Sequence, residues 1–534
     1  MRTDILICGG GLGGIAAALA AARHGARVVV TEPTRWIGGQ LTNQLVPLDE
    51  HRRIESTGAN ASYRRLRAGI RDHYRQWYPL TDRAQAQAHL NPGAAWVSPI
   101  SAEPRVALAV LEAMIAPFQA QGRLTVLLER EVAGVIVDGD KVRAVELSGP
   151  GSAADLVVEA DYVLDATELG DVIGLGRVEH VTGRESQALT GEPSAPATAD
   201  PLDMQSATWV FAVDHRPGED HTIDRPPDYD FYRDWRPPAW GGRRILDFVG
   251  PGEEGGSRRH YQFHPDLDDD PYAIDTDHRH MPSNPELWNY RRVIAKQLFA
   301  PGAFDSDIVL MNCPQNDYTG GPLFAVPDAA RHWTGAKDLA AAFLYWLQTE
   351  APRPDGGTGW PGLRLRPDVA GTADGFAMMP YVRESRRLQA LYTIVEQDVS
   401  EPHRPDGQAA HYADSVGVGH YYWLDRHATT GGRGGAADRP LPFQIPLRSL
   451  IPRRVRNLLA ACKNIGTTQI TNGCYRLHPV EWSIGEAAGV VAALAVAQGH
   501  EPHQMAERAD LVADLQRALT QDGVQLRWPP GLGY

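Results

Sequence analysis

The strongest constraint on this chain lies between its first residues and Glu32. Asp4-Ile5-Leu6-Ile7-Cys8 is a short apolar run of the kind that forms a buried parallel strand. It leads directly into Gly9-Gly10-Gly11-Leu12-Gly13-Gly14, which satisfies G-x-G-x-x-G through Gly9, Gly11 and Gly14. An Ala-rich helical stretch from Ile15 to His24 follows, closed by Gly25. A second strand, Arg27 to Thr31, then brings Glu32 to its end. A glycine pattern alone is weak evidence, but strand, turn, helix, second strand and an acid about twenty residues on together specify a dinucleotide-binding unit. Each part has a mechanical reason. Gly9 permits the tight turn, Gly11 lets backbone approach a pyrophosphate, and Gly14 lets the helix lie close to the strand. The helix N-terminus offers unpaired N–H groups and a positive dipole end to the anion. Glu32 would accept hydrogen bonds from a ribose. The plain alternative, a glycine-rich turn that binds nothing, does not account for this context.

The next residues discriminate between dinucleotides. Thr34-Arg35-Trp36-Ile37-Gly38-Gly39-Gln40-Leu41-Thr42 resembles the second glycine motif of the glutathione-reductase-2 group of flavoproteins. In that group an E-x(5)-G-G segment follows the ribose acid and runs beside the flavin, and NAD-only domains lack it. The resemblance implies FAD.

At 534 residues the chain is too long for one hydrophobic core. Ala102–Gln121 reads as an amphipathic helix stopped by Gly122. Leu124–Leu128, Ala133–Val137, a turn at Asp138-Gly139-Asp140 and Val142–Leu147 read as β-hairpin material. Asp161 to Thr167 is another buried strand, leading into Glu168-Leu169-Gly170-Asp171. In related flavoproteins the equivalent strand ends in an A-T-G-type motif near the adenine half of FAD. Here Glu168 stands where Gly is commoner. From about Gly176 to Pro442, Pro, Trp and Asp/His-rich stretches obscure both helix and strand periods. Regularity returns with a strand at Asn457–Ala461 and a helix from Val480 to Gln498. Its Gly485–Gly489 segment is suited to close packing against a flavin-binding sheet. The expected fold is α/β: a Rossmann-type FAD-binding domain, a parallel sheet with a β-hairpin or meander, formed from 1–175 and 443–534. A mixed α+β substrate or cap domain, 176–442, is inserted into it.

Taken together, these motifs resemble the FAD-dependent oxidoreductase family that includes the heterodisulfide reductase flavoprotein subunit, over nearly the whole chain. Further markers are Gly183–Ser186, Asn312–Asp317, Arg383-Glu384-Ser385-Arg386-Arg387, Asp414–Gly417, Ile445–Leu450 and Asn472–Gly489. The chain departs from heterodisulfide reductase in lacking the cysteine runs that hold iron–sulfur clusters. The resemblance implies FAD contacts at Gly9, Gly11, Leu12, Gly13, Gly14, Glu32, Gly38, Gly39, Gln40 and Thr42. It adds Val132, Ala166, Thr167, Asp171, Asn464, Pro479 and Val480, and it places Arg476, with Tyr475 beside it, near the isoalloxazine.

Candidate chemistry follows from residue type. The helix opening near His478-Pro479-Val480 would supply positive potential to a reduced flavin, Pro being suited to a first turn. Arg476 would add to it, unless it pairs with a structural carboxylate. Arg383–Arg387 reads either as a solvated or salt-bridged helix or as a clamp in which Arg383 or Arg386 holds a carboxylate or phosphate. His420-Tyr421-Tyr422-Trp423, with Asp425 and His427, offers an acid/base group and an aromatic wall, or mere packing. Cys474 is expected to be a small buried residue rather than a flavin attachment point. Asp266–Asp270 imitates the start of a calcium loop but lacks its glycine and downstream glutamate. A solvated acidic loop is expected there, and no metal.

A formal net charge of −14 argues against nucleic acid and anionic membrane. The four cysteines form no CxxC, which removes disulfide frameworks, zinc ribbons and dithiol redox. The start of the chain lacks the pattern of a secretory leader. The longest apolar stretches, Ile15–Ala22 and Ala487–Ala497, are shorter than a spanning helix needs. A cytoplasmic protein acting on a small molecule is expected, with a homodimer left open. With no second G-x-G-x-x-G module, the leading expectation is a flavin dehydrogenase or oxidase passing electrons to O2 or another acceptor. A flavin monooxygenase ranks below it because the hydroxylase and halogenase fingerprints are absent, and a non-catalytic flavin-binding partner ranks lower still.

Overall fold

The computed structural model describes residues 1–149, 151–251, 258–274, 284–424, 428–433, 438–529 and 531–532. Its organising element is a seven-stranded mixed sheet. The first six strands are β1 (Arg2–Cys8), β2 (Val28–Glu32), β3 (Leu124–Leu128), β4 (Glu131–Asp138), β5 (Lys141–Ser148) and β6 (Ala154–Asp165). β1 lies between β2 and β6 and is parallel to both. β3 extends the parallel array beyond β2, and Leu458–Ala460 extends it beyond β6. The near-continuous Ile, Leu and Val content of β1 and β2 suits strands covered on both faces.

β6 is longer than its sequence suggests. Its first half is antiparallel to β5, which is antiparallel to β4, so β4–β6 form a meander hung on the parallel array. The early residues of β6, such as Glu159, are exposed on one face. That hid them from a reading that looked for a wholly buried strand. The turn at Asp138-Gly139-Asp140 is as expected, with Gly139 in the left-handed region at φ +62°.

Helix α1 (Leu12–Arg23) follows β1 and is buried almost throughout. The helix His478–Gln498 lies against it rather than chiefly on the sheet, which corrects the expected packing. A Cβ on Gly485 would stand 1.9 Å from the Gly13 carbonyl oxygen, and one on Gly489 would stand 2.3 Å from that of Ala17. The matched order of these pairs makes the two helices parallel. His478–Gln498 starts two residues earlier than expected and is the one helix among the described residues long and apolar enough to cross a membrane. The best window of that helix is 83% buried inside the protein, as a core helix would be.

Residues 176–442 hold more regular structure than their sequence pattern shows. Phe211–His215 and Ile308–Met311 form the centre of a four-stranded antiparallel sheet flanked by Arg292–Ile294 and Leu363–Leu365. A helix of 21 residues, Ala329–Thr349, has Gly335, Ala336, Leu339, Ala340, Phe343, Leu344 and Leu347 buried. That is a helical period, broken up in the sequence by Trp and His. Asp266–Asp270 is not simply solvated. Asp269 pairs with buried Arg292 at 2.8 Å, and Asp266 lies 2.9 Å from His215.

Because the two core helices touch backbone to backbone, Gly485→Ala is expected to lower the unfolding free energy by about 1–3 kcal/mol. Gln498→Ala, exposed in the same helix, should change it by less than about 0.5 kcal/mol. Chemical denaturation of the two variants checks the difference.

Candidate active site

At the C-terminal ends of β1, β2 and β6 a cleft of about 230 Å³ opens. It is lined by Gly9, Gly11, Glu32, Val132, Ala166, Thr167 and Asp171, together with Trp333, Met379 and others. Seven residues expected to hold the cofactor therefore converge, although they come from widely separated segments. Gly11 caps α1 without a side-chain bond, and the first turn of α1 carries no acid, so the N–H groups there are offered to an anion.

Glu32 sits at the cleft wall and is buried. Its carboxylate accepts from the Gly10 N–H at 3.2 Å, the Thr34 N–H at 2.9 Å and the Asn43 amide at 3.1 Å. Burial still raises its pKa to about 7. Asp171, at the other wall, is raised to about 7 by burial and by Asp165, while Arg386 opposes the shift. Arg386 donates to the Leu169 carbonyl at 2.8 Å and lies 3.5 Å from Asp171.

The second glycine motif folds back onto the first. The Gly38 N–H donates to the Gly10 carbonyl at 2.7 Å, with Gly38 at φ +109°. Thr42 closes the loop by donating to the Ile37 carbonyl at 2.6 Å. Beyond it, Gln40 Oε1, Asn43 Oδ1 and both amide atoms of Gln44 are buried without a partner among the described residues. Such a row of orphaned polar atoms beside a glycine-lined anion site fits FAD, whose polar chain and ring edge would complete them. Leu12 and Gly13 lie in the first turn of α1. Pro479 and Val480 lie in that of His478–Gln498. The Asn464 amide is taken up differently, donating to the Asp165 carbonyl at 2.9 Å and so tying the C-terminal segment to β6.

Glu168, the departure from the A-T-G pattern, has a partner in the fold. Its carboxylate faces Gly11 and Gly39 and accepts from Lys463 Nζ, which also lies 3.5 Å from Glu481. Lys463 and Glu481 are almost wholly buried. Burial raises Glu481 to about 7, against the pull of Lys463.

The remaining candidates divide into two groups. Arg383–Arg387 is not a helix but a buried extended segment between short strands. Arg383 donates to the Ser206 carbonyl, Thr208 Oγ1 and Asp317 Oδ1, each at 2.9 Å. Arg387 bridges Glu384 and Glu185. Arg476 donates to the Tyr381 hydroxyl at 2.5 Å, and its carbonyl accepts from Gln40 at 3.2 Å. That places Arg476 between the second glycine motif and the arginine–tyrosine cluster. Tyr475 is turned away, its hydroxyl donating to the Gln444 carbonyl at 2.8 Å and its ring stacked on Phe443. His420 packs with His51 and Trp528, and burial drives its pKa well below the usual range. It is its neighbour Tyr421 that senses Asp49 and Arg476. Asp425 and His427 lie outside the described residues.

Several residues here carried no sequence signal strong enough to single them out. His478 Nδ1 accepts the Asp49 N–H at 3.0 Å, and its Nε2 lies 3.2 Å from the Val46 carbonyl, so the ring is held neutral with Nε2 protonated. Burial lowers its pKa to about 4. Asp49 is bound by Arg291 at 3.1 Å. Neither pairing follows a local spacing rule. Cys474, like the other three cysteines, is buried, and its thiol donates to the Thr471 carbonyl at 3.4 Å. Among the described residues Glu396, His403 and Asp438 bring metal-ligand atoms within 4.8 Å, with Glu396 already accepting from Ser194.

Lys463→Met would leave Glu168 and Glu481 as uncompensated buried carboxylates. A loss of about 3–5 kcal/mol in unfolding free energy is expected, read by denaturant titration at pH 8, and it should shrink as Glu481 takes up a proton below pH 7.

With this geometry in place, comparison with known proteins identifies the family. The family model described as FAD dependent oxidoreductase matches residues 4–519. No curated protein matches. Among solved structures the chain is similar to Thermovibrio ammonificans THI4, at 18% identity and a TM-score of 0.23, over 35% of this chain and 67% of that one. It is also similar to the anhydrotetracycline hydroxylase OxyS from Streptomyces rimosus, at 17% identity and a TM-score of 0.21, over 42% of this chain and 39% of that one. A third is L-proline dehydrogenase from P. horikoshii, at 16% identity and a TM-score of 0.19, over 35% of this chain and 25% of that one. The chain thus spans less than half the length of the latter two. Over nearly its whole length, the chain belongs to the FAD-dependent oxidoreductase family, and its cofactor is FAD.

Proposed function

We propose that this flavoenzyme is a dehydrogenase or oxidase that takes hydride from a small organic substrate and passes the electrons to O2 or another acceptor. The observation that carries this reading is the arginine–tyrosine cluster around Arg383, Tyr381 and Arg476, joined through Gln40 to the glycine motif. The lack of a CxxC pair in the sequence supports it, and the four cysteines are buried. The glutathione-reductase-2 subtype and the likeness to the heterodisulfide reductase subunit remain part of the same proposal. So does the assignment of 176–442 as a substrate or cap domain inserted into the FAD-binding domain.

Bound FAD supplies the hydride acceptor. The chain's own residues do the rest. Gly9–Gly14 and the start of α1 receive the pyrophosphate, and Glu32 accepts from the ribose. Arg476 and the backbone N–H groups opening His478–Gln498 would supply positive potential to the ring, with the first-turn Glu481 set against Lys463.

The visible spectrum comes first, repeated on the supernatant after acid precipitation. A two-banded yellow spectrum with FAD released is expected; colour retained in the pellet would instead implicate covalent attachment. Anaerobic bleaching by a substrate panel, with recovery on admitting air or an artificial acceptor, tests the reaction. Bleaching by NAD(P)H, with oxygen uptake dependent on an aromatic substrate, would replace it with a monooxygenase.

FAD affinity should also depend on pH. The apoprotein holds a proton on Glu32 below about pH 7, and ribose hydroxyls favour the ionised carboxylate. Binding therefore releases a proton, and affinity should rise between pH 6 and pH 8, by up to about tenfold per unit per proton on the acid side. Glu32→Gln should weaken binding and remove its share of this slope, leaving that of Asp171. Quenching of flavin fluorescence reads both, and a wild-type affinity flat across this range would exclude the role given to Glu32.

A further inference from the structure

The glycine turn at the end of β1 lies between two acids. Glu32 ends β2 and Glu168 stands just beyond β6, and these strands flank β1 on opposite sides. Successive glycines face one acid each. A Cβ on Gly10 would stand 3.1 Å from Glu32 Oε2, and one on Gly11 would stand 3.2 Å from Glu168 Oε1. A Cβ on Gly39 would stand 2.9 Å from Glu168 Oε1 and 2.9 Å from the Gly11 Cα. Glu168 therefore sits over the joint where the two glycine motifs meet.

Both acids line the cofactor cleft, but their oxygens are engaged differently. Glu32 Oε2 accepts from the Gly10 N–H, and Oε1 accepts from Thr34 and Asn43. Glu168 Oε2 accepts from Lys463 Nζ, whereas Oε1 takes no hydrogen bond from any described residue. Lys463 lies behind Glu168, with its side chain 1% exposed and its Nζ 3.5 Å from Glu481. Burial would favour the neutral amine, but the two carboxylates outweigh it and keep Lys463 an ammonium. The backbone around Lys463 is pinned as well. A Cβ on Gly13 would stand 2.1 Å from the Ala461 carbonyl oxygen, and the Asn464 amide donates to the Asp165 carbonyl. One oxygen of Glu168 is thus fixed from behind, and the other is presented to the cleft.

A carboxylate paired in this way has acceptor capacity only, so its open oxygen calls for a donor. The phosphates of FAD are acceptors. Its donors include the hydroxyls of the ribose on one side of the pyrophosphate and those of the ribityl chain on the other. Acids on both sides of an anion-binding glycine turn match that order of groups. Glu32 takes the ribose in the assignment above, and Glu168 faces Gly39 of the second glycine motif.

We propose that Glu168 is a second cofactor-binding acid, accepting a hydrogen bond from the ribityl chain of FAD through the oxygen that Lys463 leaves open. The acid that stands where glycine is commoner then adds a contact specific to the flavin half of the cofactor.

The test separates the two halves of the cofactor. The full-length protein, freed of flavin, is titrated with FAD, read by quenching of flavin fluorescence, and with ADP, read by calorimetry. ADP carries the ribose and both phosphates but no ribityl chain. In Glu168→Gln the amide would keep its oxygen toward Lys463 and turn N–H toward the cleft. FAD affinity should fall by about tenfold, while ADP affinity stays within about twofold. Glu168→Asp keeps the charge beside Lys463 but withdraws the oxygen by one methylene. It should weaken FAD by about threefold or more and again spare ADP. Retained ADP binding also shows that the cleft is intact in each variant. Tighter binding of both ligands by Glu168→Gln would overturn the proposal, because it would set the carboxylate against the phosphates. Unchanged FAD affinity in both variants, or an equal loss of FAD and ADP, would overturn it as well.

Discussion

The contact on which the rest of the structure depends is the backbone-to-backbone seam between α1 and His478–Gln498. Gly13 meets Gly485 and Ala17 meets Gly489 with no room for a methyl group between them. This seam holds the ends of the chain together around one sheet and sets the two helices parallel. Both helix N-termini then face the same end of the sheet, where β1 and β6 finish. Two positive dipole ends in one place make a site for an anionic, electron-accepting cofactor, and that follows from packing before any side chain is considered.

Around that seam the protein keeps several charges out of water, and many of them are paired across long stretches of chain. Lys463 sits between Glu168 and Glu481, Arg387 between Glu185 and Glu384, and Arg291 beside Asp49. Ion pairs of this kind add little net stability, because desolvation offsets the Coulomb gain. What they do is fix geometry. Arg291–Asp49 and Lys463–Glu168 tie later segments to residues 1–175, Arg387 ties together two segments of 176–442, and removal of one partner leaves a buried charge. The site is therefore pre-organised by interactions whose main effect is positional.

Local patterns were legible wherever function and fold impose short-range spacing. The first glycine motif, the E-x(5)-G-G segment, the Asp138-Gly139-Asp140 turn and the strand at Leu458–Ala460 stand where expected because each is dictated by neighbours in sequence. Half-exposed segments were harder to read. The early part of β6 is open to solvent on one face, and Ala329–Thr349 interrupts its apolar stripe with Trp and His, so neither shows a clean period. Arg383–Arg387 was ambiguous in the opposite way. Its charge density left open a solvated or salt-bridged helix and an anion clamp; the segment is salt-bridged but buried and not helical, because its partners, Asp317, Glu185 and the Ser206 carbonyl, arrive from elsewhere.

By itself, the sequence determined the dinucleotide-binding unit and the choice of FAD, since those rest on residue type and on spacings of a few positions. Tertiary structure alone decided which charged and aromatic residues meet. It set Arg476 beside Tyr381 and turned Tyr475 away. It placed His420 against His51 and Trp528 while its neighbour Tyr421 senses Asp49, and it gave Glu168 a lysine from the far end of the chain. The physical reason is range. A turn or a strand is specified by interactions between near neighbours, whereas the polarity of a buried site is the sum of groups brought together by the packing of distant segments, and no local spacing encodes that sum.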